Sequence, residues 1–104
     1  MQTYAEQDDG KAVSLTVGEQ FEVHLAENAS TGHQWQLIDV DRVLLDVTRD
    51  QPIPPDSALP CAGGAHAWTF LARAPGRCPL SFVYRRRWEG AAPAQTFSLD
   101  VTVT

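Results

Sequence analysis

Period two governs the first third of the chain. In "KAVSLTVGEQFEVHLAE", residues 11–27, the apolar positions are Val13, Leu15 and Val17, then Phe21, Val23 and Leu25, with polar residues between them. Alternation of this kind belongs to strands with one buried face. Val17-Gly18-Glu19 marks the corner between two such strands. Further short apolar sets follow at Trp35-Leu37, Val43-Leu45-Val47, Trp68-Phe70-Ala72, Leu80-Phe82-Tyr84 and Phe97-Leu99-Val101-Val103. Helical periodicity is absent from the pattern. Strands recurring at intervals of about 8 to 15 residues predict an all-β protein: an immunoglobulin-like antiparallel β-sandwich of about seven strands. "RAPGRC", residues 73–78, is a tight turn in which Pro75 presets one dihedral and Gly76 is free to take a positive one.

Three connections differ from the tight turns. One is Asn28 to Gly32, the second is "DQPIPPDSALPCAGG" at residues 50–64, and the third is "RRRWEGAAPA" at residues 85–94. When strands alternate in direction, the second-to-third, fourth-to-fifth and sixth-to-seventh connections emerge at one end of a sandwich. Loops gathered at one end of such a fold form binding surfaces.

Composition narrows the choices. The chain has 104 residues, 43% of them apolar and 20% charged, which suits one globular domain with an ordinary core. The net charge of -5 argues against nonspecific attraction to nucleic acid or to anionic membrane. No apolar run approaches the roughly 18 residues of a bilayer span. The opening "MQTYAEQDDGK" lacks the basic and apolar regions of a signal peptide. Cys61 and Cys78 are expected to be free thiols. Cys61 lies in the loop at the binding end, and a strand of about 26 Å then separates it from the turn leading to Cys78, whereas a disulfide needs Cα atoms within about 7 Å. His24 falls on the solvent face of its strand; His33 and His66 flank two different loops. No pair of them shows metal spacing, so no metal or cofactor is expected. There is no nucleophile elbow, carboxylate pair or phosphate-cradling glycine loop, and an enzyme is not expected.

The loops also carry a resemblance. "NASTGHQW", "CAGGAHAWTF" and "RRRW" are similar to the three loop signatures of the chagasin-type inhibitors of papain-family cysteine proteases. Those signatures run Asn-Pro-Thr-Thr-Gly-aromatic, then Gly-x-Gly-Gly before a Trp-x-Phe strand, then Arg-Pro-Trp. The departures are Ala29, Ser30, His33, Cys61 and Arg87. The resemblance implies a reversible, tight-binding inhibitor that plugs the cleft of a papain-family cysteine protease with loops 28–33, 61–66 and 85–90. It places Thr31 against the catalytic Cys–His pair of the enzyme, with Gly32 beside it, and makes Arg86 and Trp88 a contact pair. It also implies a monomer that works in the periplasm or outside the cell; a cytoplasmic location is the alternative.

The residues suit that role physically. Thr31 is stiff at χ1, and Asn28 and Ser30 hydrogen-bond nearby backbone and hold a loop's shape. Gly32 permits close approach of backbone to a partner, as do Gly63 and Gly64 beside Ala62; a glycine pair also serves simply to bend a chain into a strand. Strand parity puts Trp88 on the inward face of Leu80, Phe82 and Tyr84, so it is either a core-edge residue or an aromatic anchor at the loop mouth. Trp35, Trp68 and Phe70 are assigned to the core. Two other classes remain compatible with the residues: a sandwich binding module for a different protein or carbohydrate, and a hydrolase or redox protein using Cys61 with His33 or His66.

Overall fold

The computed structural model describes residues 2–27, 33–53, 64–86 and 95–104. Among these residues, eight strands build two four-stranded sheets. One contains β1 (Gln2–Tyr4), β3 (Gln20–Glu27), β6 (Gly64–Ala72) and β5 (Leu45–Ile53), in the spatial order β1-β3-β6-β5. The other contains β2 (Ala12–Leu15), β8 (Gln95–Val103), β7 (Gly76–Arg86) and β4 (His33–Asp39), in the order β2-β8-β7-β4. A short 3₁₀ turn at Glu6–Asp8 joins β1 to β2. All seven expected strands are present. β1 is an addition, since a single Tyr in three residues gives no alternation to detect.

Two of the pairings are parallel, β1 with β3 and β2 with β8. β1 and β2 thus line one edge of each sheet instead of extending an antiparallel meander. The chain crosses between sheets at the Val17-Gly18-Glu19 corner. There Gly18 takes φ +96 and donates its N–H to Ala72 O, while Ala72 N–H donates to Glu19 O. Val17 consequently does not belong to the inward set: β2 ends at Leu15, and Val17 is 46% exposed. Val43 departs in the same way. It sits in the turn ahead of β5 and is 73% exposed, and its neighbour Leu44 takes the buried place.

The alternating residues meet between the sheets. Phe21 and Phe70 stack at 5.1 Å, Phe70 meets Phe82 edge-on at 6.3 Å, and Phe82 packs on Phe97 at 5.8 Å, so one aromatic file crosses both sheets. Burying each of these rings contributes about 1.5–3 kcal/mol, and favourable ring geometry adds about 0.5–1.5 kcal/mol per pair. Trp35, Trp68 and Phe70 are core residues as expected. Cys78 is buried on β7 and is a free thiol, while Cys61 lies outside the described residues.

Edge strands expose backbone groups that invite further pairing. β5 is blunted by a register shift between Val47 and Arg49, by exposed Asp46 and Asp50, and by Pro52. Proline is tolerated on an edge because its missing N–H would face solvent. That is why the proline-rich stretch expected to be loop from Asp50 begins instead as strand, through Ile53. Beyond β1, the free side of β3 is covered by Glu6, whose carboxylate accepts the Ala26 N–H.

Candidate functional site

Register places the loop roots. Glu27 pairs with Gly64 and Ala65 with Ile53 in the first sheet; His33 pairs with Arg86 and Gln95 with Tyr84 in the second. Hydrogen bonds from Trp35 on β4 to Ala26 and Glu27 on β3 join the two sets of ends. Segments 28–32, 54–63 and 87–94 therefore all leave from one pole. Of the residues expected to contact a partner, His33, Gly64 and Arg86 are placed at that pole. Asn28, Ser30, Thr31, Gly32, Ala62, Gly63 and Trp88 lie outside the described residues.

Beneath the pole the interior changes character. On the inward face of β3 the sequence runs Phe21, Val23, Leu25 and then Glu27; on β6 it runs Ala72, Phe70, Trp68 and then His66; on β4 it runs Leu37, Trp35 and then His33. His33 stacks on Tyr84 at 5.2 Å and 25°, and Tyr84 packs on Trp35 at 5.0 Å.

Glu27 spans the base of the first loop. Its Oε2 accepts the Trp35 backbone N–H at 2.8 Å, and the Trp35 indole Nε1–H donates to Ala26 O at 2.8 Å. Both bonds cross from one sheet to the other. The same Glu27 oxygen lies 3.5 Å from His66 Nδ1, in ion-pair range but without a hydrogen bond. On its other side, His66 Nε2 donates to Asp50 Oδ1 at 2.5 Å, and the imidazole lies flat on Trp68, 4.3 Å between ring centres. Glu27 and His66 are nearly buried, their side chains 11% and 14% exposed, whereas Asp50 is half exposed. The line Trp35–Glu27–His66–Asp50 runs from β4 through β3 and β6 to β5.

Sequence reasoning singled out His66 as a loop neighbour and as one candidate partner of Cys61, and passed over Glu27 and Asp50. Parity held the missing signal, since Glu27 and His66 each continue an apolar inward face with a polar side chain. Lys11 and the Ala5 N–H hold the Asp8 carboxyl low, Arg77 holds Asp100 low, and burial pushes the Cys78 thiol up. Among the described residues no group of His, Cys, Asp and Glu is arranged to hold a metal ion, and no helix is long and apolar enough to cross a membrane.

Residues 14–103 match the family described as chagasin family peptidase inhibitor I42. This chain belongs to the chagasin family. Chagasin of Trypanosoma cruzi is 28% identical over 86 residues, covering 79% of this chain and 78% of that protein. Among solved structures, the cysteine protease inhibitor EhICP2 of Entamoeba histolytica aligns with a TM-score of 0.90 at 15% identity, over 99% of this chain and 95% of that one. PbICP-C, solved in complex with falcipain-2, aligns with a TM-score of 0.64 at 20% identity, over 99% and 92%. At those identities the two structures speak for a shared fold, and the family match speaks for inhibition. The chagasin family is one of peptidase inhibitors and not of enzymes.

Proposed function

We propose that this chagasin-family chain is a reversible, tight-binding inhibitor of papain-like cysteine proteases that occludes the active-site cleft with loops 28–33, 61–66 and 85–90. The observation that carries the reading is the gathering of all six loop roots at one pole of the sandwich, in a chain of an inhibitor family. Asn28, Ser30, Thr31, Gly32 and His33 form the wedge, Ala62, Gly63 and Gly64 offer backbone free of side chains, and Arg86 with Trp88 flanks the cleft. Residues 1–104 act as one inhibitor domain and as a monomer, in the periplasm or outside the cell. A contact of about 800 Å² per partner suits three loops of this size, with most of the binding energy in a few residues.

Titration of papain with the purified protein tests the reading. Stoichiometric loss of activity, with the added chain intact on a gel, is expected. No effect on several papain-like enzymes would point to a binding module for another ligand. Turnover abolished by thiol blocking would point to chemistry at Cys61.

A further inference from the structure

We infer that Glu27 and His66 are positioning residues that lock the bases of the first two loops to one another, so that both reach a protease already spaced for its cleft. The inference rests on the inhibitory reading above and names the part of the fold that sets its strength.

The geometry is specific to that task. Glu27 is the last residue of β3 before loop 28–32, and its carboxylate holds Trp35, the third residue after that loop. The loop is therefore closed across its base by a side chain, and the indole bond from Trp35 to Ala26 closes it a second time. His66 stands two residues past Gly64, where the second loop ends, and Asp50 three residues before Ile53, where β5 gives way to it. His66 touches the carboxylates on both sides, Glu27 at 3.5 Å and Asp50 at 2.5 Å. One imidazole thus links the entry of the first loop to both roots of the second.

A core built for stability alone would fill these inward places with apolar side chains, as β3 does at Leu25 and β6 does at Trp68. A nearly buried carboxylate and imidazole here cost desolvation that leucine would not. His66 Nδ1 also lacks a hydrogen-bond partner among the described residues. What the arrangement supplies is order: a loop fixed before binding loses less freedom on binding.

The experiment compares inhibition constants against papain with melting temperatures. His66→Phe keeps the stacking on Trp68 and removes both ring nitrogens. Glu27→Ala removes the carboxylate, while Glu27→Gln retains an oxygen able to accept the Trp35 N–H. Glu27→Ala is expected to weaken inhibition about tenfold and His66→Phe about fivefold, with Glu27→Gln recovering most of the loss. The double variant Glu27→Ala/His66→Phe is expected to be little worse than Glu27→Ala alone, since both act through one link. Backbone relaxation should show loop 28–32 gaining motion in Glu27→Ala while the strands keep theirs. Should Glu27→Ala not fold, Glu27→Asp takes its place, a carboxylate too short to reach both partners. Unchanged inhibition in His66→Phe and the Glu27 variants, with wild type inhibiting normally, would overturn the inference and leave the inhibitory reading standing. Losses that merely follow melting temperature, or that multiply in the double variant, would overturn it too. A wild type that inhibits no papain-like enzyme removes both.

Discussion

At the pole opposite the loops, Gly76 opens β7 with φ +151, a backbone conformation that a side chain tolerates poorly. A Cβ built there would lie 2.8 Å from Leu44 Cδ2, 3.2 Å from its Cγ and 3.3 Å from Cδ1. Leu44 has little room to retreat, being buried and tied through its N–H to Asp41 O and through its carbonyl to the Arg73 N–H. Gly76→Ala therefore incurs two costs. Backbone strain amounts to about 1–3 kcal/mol, and overpacking against Leu44 to another ~1–3 kcal/mol. A total of about 3–4 kcal/mol is a large share of the ~5–15 kcal/mol by which such domains are stable. It should lower the melting temperature by about 15–20 °C. Urea unfolding of the two single variants and of Gly76→Ala/Leu44→Ala separates the costs. In the Leu44→Ala background the overpacking is gone and the strain is not, so adding Gly76→Ala should then cost about half as much. A single variant within about 0.5 kcal/mol of wild type, the spread of ordinary surface changes, would refute the reasoning, as would equal costs in the two backgrounds. Inhibition measured well below the melting temperature should be untouched, because the substitution lies a whole strand length from the loops.

Trp88→Ala should weaken inhibition by about 2 kcal/mol, the size of a central aromatic anchor, with melting unchanged; an unaltered inhibition constant would remove Trp88 from the contact. Cys78 should resist thiol reagents in the folded protein, since burial raises its thiol and shields it. Cys61→Ser protein should thus label only after denaturation, and the native wild type should not gain two hydrogens in mass on reduction. Asp8 and Asp100 titrate lower in the folded chain than in the unfolded one, so each stabilises the fold above the ordinary carboxyl range. That contribution disappears as pH falls through their lowered values, from about pH 5 downward. Asp8→Asn and Asp100→Asn should each flatten the acid limb of stability, and an identical acid limb in both would contradict the assignment.

Alternation revealed the strands wherever one face is dry and the other wet, as at Phe21-Val23-Leu25 and Phe97-Leu99-Val101-Val103. It misled where an apolar residue sits at a turn, because Val17 and Val43 continue the period while the backbone has already left the sheet. It was silent for β1 and for the polar end of β5, whose pairing is set by neighbouring strands and not by their own side chains. The parallel pairings are equally invisible, being a matter of which strand arrives beside which. At the site, strand counting was enough to bring the roots of the three loops together. The Glu27–His66–Asp50 line was not legible as a unit, since its members lie 16 to 39 residues apart with no shared spacing.

In the second sheet, β2 and β7 flank β8, and each residue of β2 precedes its partner on β8 by 88 residues. A ribosome must therefore pass residue 103 before β2 can complete its pairing, and until then β2 lacks the strand that holds it in its sheet. Pairings this distant close slowly, and an emerging chain with exposed strand edges is vulnerable to aggregation. Loss of residues 100–103 should accordingly do more than shorten β8, since it removes every pairing partner of β2.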